Sequence, residues 1–287
     1  FEDNGILPAG HPWLKPVRKH DDYPFYSVEG ESVHEVAVGP VHAGIIEPGH
    51  FRFQCHGETV LHLEIRLGYQ HRGVEHLMIC ADDLRRVVLA ESIAGDTVIG
   101  HGLAHCQAIE ALAGTSTMTP RAHSLRGIAL ELERLSNHVG DLGALANDIG
   151  FLPASAYFGR LRGNFLNLLM ELSGNRYGRS FVRPGGVLVD MPPAMAQDFQ
   201  KHLTEALKEL KELVALFFDT SSVLSRLETT GTISEAVAKE MGLVGMAARA
   251  SHLPRDVRQD YPCGIYRTHP IPIVTMPSGD IYARARV

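Results

Sequence analysis

No two cysteines in this chain stand at a C-x-x-C spacing, so neither a zinc ribbon nor a thiolate-held cluster can be read from neighbouring ligands. The four, Cys55, Cys80, Cys106 and Cys263, are scattered and read as a reduced thiol set. Uninterrupted apolar runs of about 18 residues are missing, which leaves no sequence signal for a membrane-spanning helix. Basic runs are missing as well. With a net charge of −6 the chain does not read as a nucleic-acid platform, and no nucleic-acid partner is expected. No nucleophile triad, phosphate loop or nicotinamide fingerprint is visible, so NAD binding is not expected in this chain.

What the chain does have is histidine, 16 in all, with a concentration between His42 and His105. Residues 1–33 read as an extended arm, because Pro8, Pro12, Pro16 and Pro24 alternate with Gly5, Gly10 and Gly30. His34–Val38 alternates and breaks at Gly39-Pro40. Phe51–Cys55 and Val60–Leu67 also alternate at period two around Gly57, which predicts a hairpin within a small antiparallel sheet. From Arg72 the period becomes helical. Asp82 to Leu112 reads as one broken helix or two in succession, since Gly95, Gly100 and Gly102 weaken it. Pro120 opens a helix with Leu125, Ile128, Leu132 and Leu135 on one face and Arg126, Glu133 and Arg134 off it. Pro153 begins another that stops at Gly174, and Met195 to Leu227 is expected as one long amphipathic helix. Ser234 caps a short helix, and Ile271–Val287 turns to extended structure. The expected fold class is mainly α (α+β), a helical domain over residues 34–287 with a small N-terminal antiparallel β-sheet and an extended C-terminal segment.

Several segments carry a resemblance. Val38-Gly39-Pro40-Val41-His42 through Glu47-Pro48-Gly49-His50-Phe51-Arg52-Phe53 resembles the opening of nickel-iron hydrogenase large subunits and of the hydrogenase-like subunit of respiratory complex I. Leu67–Glu75, Leu132-Glu133-Arg134-Leu135-Ser136-Asn137-His138, Arg183-Pro184-Gly185-Gly186-Val187, Gly242–Gly245, Ala248–Ser251 and Gly279–Arg284 continue it in the family's order. His11–Pro16 resembles the link that precedes this domain in formate-hydrogenlyase-type large subunits, the nearest match. By that resemblance the chain is expected to be shortened at its C-terminal end.

The resemblance implies a register. The first nickel-binding cysteine pair falls on Ala94 and Thr97, with His101 following, and the tyrosine that meets quinone in complex I falls on Leu89. Alanine has no donor atom, and a threonine hydroxyl is a poor ligand for a soft metal. A nickel-iron centre is therefore not expected, and neither is hydrogen activation by the chain itself. Glu47 matches a proton-transferring carboxylate, and Glu75 matches an acidic residue that helps hold a cation in hydrogenases. His42, Glu47, His50, Asp96 and His101 are the expected proton-handling residues, with His42, Leu89, Ala94 and Thr97 lining a cavity for a quinone-like cofactor. Asp96 is expected to hydrogen-bond Thr97 or His101. Asp141 and Asp148 have two readings, in the same cavity or as caps of the next helix, of which capping is the plainer. For Arg183 a rigid turn rather than chemistry is expected.

The function that follows is an oxidoreductase subunit of an NADH-quinone-oxidoreductase-like or hydrogenase-like membrane complex. Its expected partners are an iron-sulfur small subunit and the membrane subunits of a complex I-like module. Its expected place is the cytoplasmic side, peripheral on the inner face of the cell membrane. The alternative is a structural subunit that retains the scaffold for assembly.

Overall fold

A computed structural model describes residues 25–41, 48–114 and 118–287. His42, Glu47 and the proline-rich arm up to residue 24 lie outside the described residues. The chain divides into two compact units, residues 1–73 and 74–287.

The first unit holds an antiparallel sheet of β1 (Val33–Val38), β2 (His50–His56) and β3 (Thr59–Arg66), in that order. The predicted hairpin is β2 and β3, turning at Gly57 with φ 58°. The register Val36↔Phe53↔Leu63 collects apolar side chains on one face, as period-two alternation requires. On the other face Gln54 Nε2 donates to Glu35 at 2.7 Å, and Arg52 pairs with Glu35 at 3.2 Å while lying 3.7 Å over the Phe25 ring. Past the end of β1 the Gly49 N–H donates to the Pro40 carbonyl at 2.9 Å. Gly39 has φ 93°, and a Cβ there would lie 2.0 Å from the Gly49 carbonyl oxygen, so only glycine fits this exit.

The second unit starts with α1 (Val74–Cys80) and α2 (Asp83–Glu91), the latter capped by Asp82, which accepts from the Arg85 N–H at 2.8 Å. Then comes α3 (Val98–Leu112), so the weakened stretch is two helices with a turn across Gly95. The long α4 (Pro120–Asp148) opens with Thr119 as cap and proline in its first turn. After it, α5 (Leu152–Ser173) ends at Gly174, left-handed at φ 76°. A two-stranded ribbon, β4 (Val182–Arg183) and β5 (Gly186–Val187), leads to α6 (Pro193–Asp219) and α7 (Ser221–Leu227). Short helices follow: α8 (Glu235–Glu240), α9 (Gly245–Ala250), α10 (Val257–Asp260), a 3-10 turn at Gly264–Arg267, and α11 (Ile281–Arg286).

Two expectations are corrected. The helix expected over Met195–Leu227 is interrupted at Thr220, whose backbone is extended (φ −83°, ψ 116°) and whose hydroxyl donates to the Leu216 carbonyl at 2.7 Å. Leucine spacing on both sides of one extended residue continues almost in phase, so periodicity alone does not show the break. The irregular tail persists only to Gly279. Asp280 then accepts from the Ala283 N–H at 2.8 Å and starts α11, a cap signal that the prolines before it had outweighed.

The core lies between α4, α5 and α6. Phe158 and Phe217 are fully buried and meet edge to face at 5.7 Å. Gly143 lets α5 approach α4, since a Cβ there would sit 3.2 Å from Phe158 Cβ. Replacing Phe158→Ala empties this junction and is expected to cost about 3–5 kcal/mol. Chemical denaturation followed by circular dichroism measures it, and a loss under about 1 kcal/mol would contradict this packing.

Candidate functional site

The site grows from a helix start that has no cap of its own. Thr97 precedes α3 but makes no side-chain capping bond, so the first N–H groups of α3 need acceptors from elsewhere. Glu133 of α4 supplies them. Its two carboxylate oxygens accept from the Ile99 N–H at 2.6 Å and the Gly100 N–H at 2.9 Å, and the residue is 5% exposed. Burial pushes its carboxyl up to about 7 against the pull of those two N–H bonds, with the Asp96 charge adding to the rise. One turn further along α4, Asn137 Nδ2 donates to the Asp96 carbonyl at 3.1 Å. The turn between α2 and α3 is thus held at two points by one helix.

On the other side of the turn, Glu91 at the end of α2 is 3% exposed and accepts from the Ser180 N–H at 2.9 Å and Arg183 Nη1 at 3.2 Å. Arg126 of α4 donates to Glu110 of α3 at 2.6 Å and to the carbonyls of Arg183 (2.6 Å) and Gly186 (3.1 Å). Glu110 also accepts from the Gly185 N–H at 2.7 Å. The Arg-Pro-Gly-Gly ribbon is therefore locked to α2, α3 and α4 by charge-assisted bonds.

Towards the other end of α4, His138 and Asp141 line a cavity of 360 Å³ with Leu142, Leu145, Met246 and Ile281. Burial raises Asp141, with the Asp96 charge adding and His138 and Arg162 opposing. Burial also lowers His138, helped by Arg134. Each shift disfavours the charged form of its group. A second hollow of 220 Å³, lined by Asn164, Glu171, His202 and Glu209 among others, shares no lining residue with this cavity.

The chain has relatives among known proteins. The family described as respiratory-chain NADH dehydrogenase, 49 Kd subunit, matches residues 148–287. Membrane-bound hydrogenase subunit alpha of Pyrococcus furiosus is 30% identical over 263 residues, covering 88% of this chain and 61% of that protein. NADH-quinone oxidoreductase subunit 4 of Thermus thermophilus is 31% identical over 250 residues, 87% of this chain and 61% of that one. The chain is similar to these hydrogenase-like large subunits. Formate hydrogenlyase subunit 5 of Escherichia coli is 29% identical over 276 residues, with coverages of 95% and 48%. The chain thus spans between about half and two thirds of the length of these three relatives. A solved chain from the membrane-bound sulfane sulfur reductase superimposes with a TM-score of 0.84 at 24% identity, covering 91% of this chain and 70% of that one, which shows the fold.

Within this frame the expected residues take definite places. Ala94, Asp96 and Thr97 lie in the clamped turn, Leu89 sits in the last turn of α2, and His101 is half-buried in the first turn of α3. Asp96 engages through its backbone carbonyl, not by the expected side-chain bond to Thr97 or His101, because the turn points that carbonyl at Asn137. His50 begins β2 in the first unit, and Glu75 is exposed in the first turn of α1. Asp141 cannot cap the next helix, as it lies well inside α4, and α5 has no side-chain cap. Arg183 does more than stiffen a turn, given its ion pair with Glu91.

Arg126 and Glu133, placed off the apolar face by periodicity, are buried because α3, α5 and the ribbon cover α4 on several sides. Only the family resemblance of Leu132–His138 could have marked Glu133; Arg126 and Glu91 had no sequence signal. Replacing Arg126→Ala strands Glu110 and two carbonyls and is expected to cost about 3–5 kcal/mol. Arg121→Ala removes the exposed pair with Asp190 and one bond to the Met191 carbonyl and should cost much less. Equal losses in denaturant titrations of the two variants would contradict the clamp.

Proposed function

We propose that this chain is the hydrogenase-like large subunit of a membrane-associated electron-transfer complex of the NADH-quinone-oxidoreductase or hydrogenase type, working without a nickel-iron centre. The observation that carries this reading is a turn held firmly by Glu133 and Asn137 in which Ala94 and Thr97 offer no thiolate. Those side chains do not fit a soft metal. Among the described residues no group of three His, Cys, Asp or Glu is arranged to hold a metal ion. Cys106 does not stand in, because it is fully buried within α3 and burial pushes its thiol up to about 11.

The remaining chemistry suits a quinone-like acceptor. The 360 Å³ cavity joins the apolar Leu142, Leu145, Met246 and Ile281 to the polar His138, Asp141, Arg284 and Arg286. Asp141, whose carboxyl is raised by burial, is the group in this reading that passes a proton to a reduced oxygen, with His138 beside it as its relay. His42, Glu47, His50, Asp96 and His101 belong to the same proposal as proton-handling residues, with Leu89 lining the acceptor's path. Glu75 holds no more than a cation in this scheme.

An iron-sulfur small subunit supplies the electrons, and membrane subunits of a complex I-like module keep the chain on the cytoplasmic, inner face of the membrane. Support comes from the relatives' own names, a membrane-bound hydrogenase and an NADH-quinone oxidoreductase. No helix among the described residues is long and apolar enough to cross a membrane, in keeping with attachment through partners.

In the assembled complex, Asp141→Asn is expected to lower quinone-linked electron transfer by about a hundredfold with assembly unchanged. Elemental analysis should find nickel far below one atom per chain. Full electron transfer in an intact complex carrying Asp141→Asn would favour the scaffold role, and stoichiometric nickel would overturn the metal-free reading.

A further inference from the structure

We propose that Glu133 is a proton-operated latch behind the Ala94–Thr97 turn, a positioning residue that holds the first turn of α3, directly after Thr97, when ionised and half releases it when protonated. The proposal rests on the electron-transfer reading above for its purpose, while its geometry stands without it. Both carboxylate oxygens are committed, one to the Ile99 N–H and one to the Gly100 N–H, and Thr97 offers α3 no substitute cap. The approach is close: a Cβ on Gly100 would lie 3.2 Å from Glu133 Oε1 and 3.1 Å from Thr97 Cγ2. At Gly95, by contrast, a Cβ would meet nothing within 4 Å, so the turn has open space on that side in which to move.

Protonation changes the count of acceptors. An ionised carboxylate accepts from both N–H groups, whereas a neutral carboxyl turns one oxygen into a hydroxyl donor and leaves one N–H without a good partner. A buried unpartnered N–H is costly, so the first turn of α3 and the residues before it shift or open to water. The proton comes from and returns to the solvent side of the turn, where Asp96 is exposed. The charged and titratable groups around Glu133 are Asp96 from the turn, which makes its proton harder to lose, Arg134 from α4, which makes it easier, and His101, which directly follows the bound amides in α3. Because burial dominates and brings the carboxyl to about 7, the two forms coexist near neutral pH.

The sign of the effect separates the latch from overall stability. A carboxyl held above its ordinary value of 4.5 contributes global stability that is full below about 4.5 and is lost as pH rises through about 7. The two latch bonds run the opposite way and are complete only above about 7.

Hydrogen exchange by mass spectrometry on the assembled complex, corrected for intrinsic rates, reads this directly in peptides spanning residues 98–101. Protection should rise roughly tenfold from about pH 6 to about pH 8, the size expected for one hydrogen bond. Glu133→Gln should give a flat profile. Asp96→Asn, which keeps the carboxyl and removes a neighbouring charge, should move the midpoint to lower pH, and it serves where the Gln variant does not fold. A flat wild-type profile, a slope that survives in E133Q, or an unmoved midpoint in D96N would each overturn the latch. A complex that shows the profile but no quinone-linked electron transfer overturns the functional reading alone; an active complex with a flat profile overturns the latch alone.

Discussion

The two hydrogen bonds from the Ile99 and Gly100 N–H groups to Glu133 fix where α3 begins, and with it everything that the α2–α3 turn presents. A helix start in a buried setting cannot leave its N–H groups unpaired. Here the acceptor comes from 33 and 34 residues further along the chain, so local sequence does not determine the turn's geometry. The position of α4 does. That position is set in turn by tight packing on α5, where Gly140 admits the Arg162 side chain at 3.1 Å and Gly143 admits Phe158. Packing, cap and turn form a single mechanical series.

A second series runs through charge. Glu91 pairs with Arg183 and Glu110 with Arg126, and the ribbon's backbone joins the two pairs. Buried ions of this kind add little stability over apolar substitutes, but they tolerate few alternative arrangements. Their effect is to fix the register of α2 against α3 from the side opposite Glu133. The C-terminal segment is tied to α4 in the same manner. Glu131 receives the Tyr266 hydroxyl at 2.5 Å and Arg258 at 3.4 Å, while Arg258 holds Asp256 down to about 2.

How much of this was legible in the sequence depends on how far each determinant reaches. The hairpin, the Thr119-Pro120 helix start, the Gly174 stop and the Ser234 cap follow from residues within a few positions of one another, and all are present. The break at Thr220 and the late helix at Ile281–Arg286 turn on one residue each, against a longer pattern that points the other way. The buried charges were harder still. Periodicity finds one apolar face per helix, yet α4 contacts neighbours around much of its circumference, so Arg126 and Glu133 looked solvated until their partners were in place. The resemblance drew attention to the Ala94–Thr97 turn through its ligand positions, which point away from Glu133, the carboxylate that holds the turn.

That distinction bears on what keeps the shape of such a turn. If metal bonds had organised Ala94–Thr97, losing the thiolates would leave its backbone without support and nothing would keep the spacing. Instead the turn is tied by Glu133 and Asn137 to a helix whose own packing is independent of any ligand. Replacing two donors by Ala and Thr removes chemistry at the tip and leaves the restraints behind it intact. The carboxylate that restrains the turn is also the one that burial brings to about 7, while Asp96 sits at the exposed tip and acts electrostatically on both Glu133 and Asp141. A turn tipped by Ala94 and Thr97 offers no thiolate to a soft metal, while the coupled carboxylates Asp96, Glu133 and Asp141 stand around it. Its capacity to move a proton in step with a conformational change requires only the groups that remain.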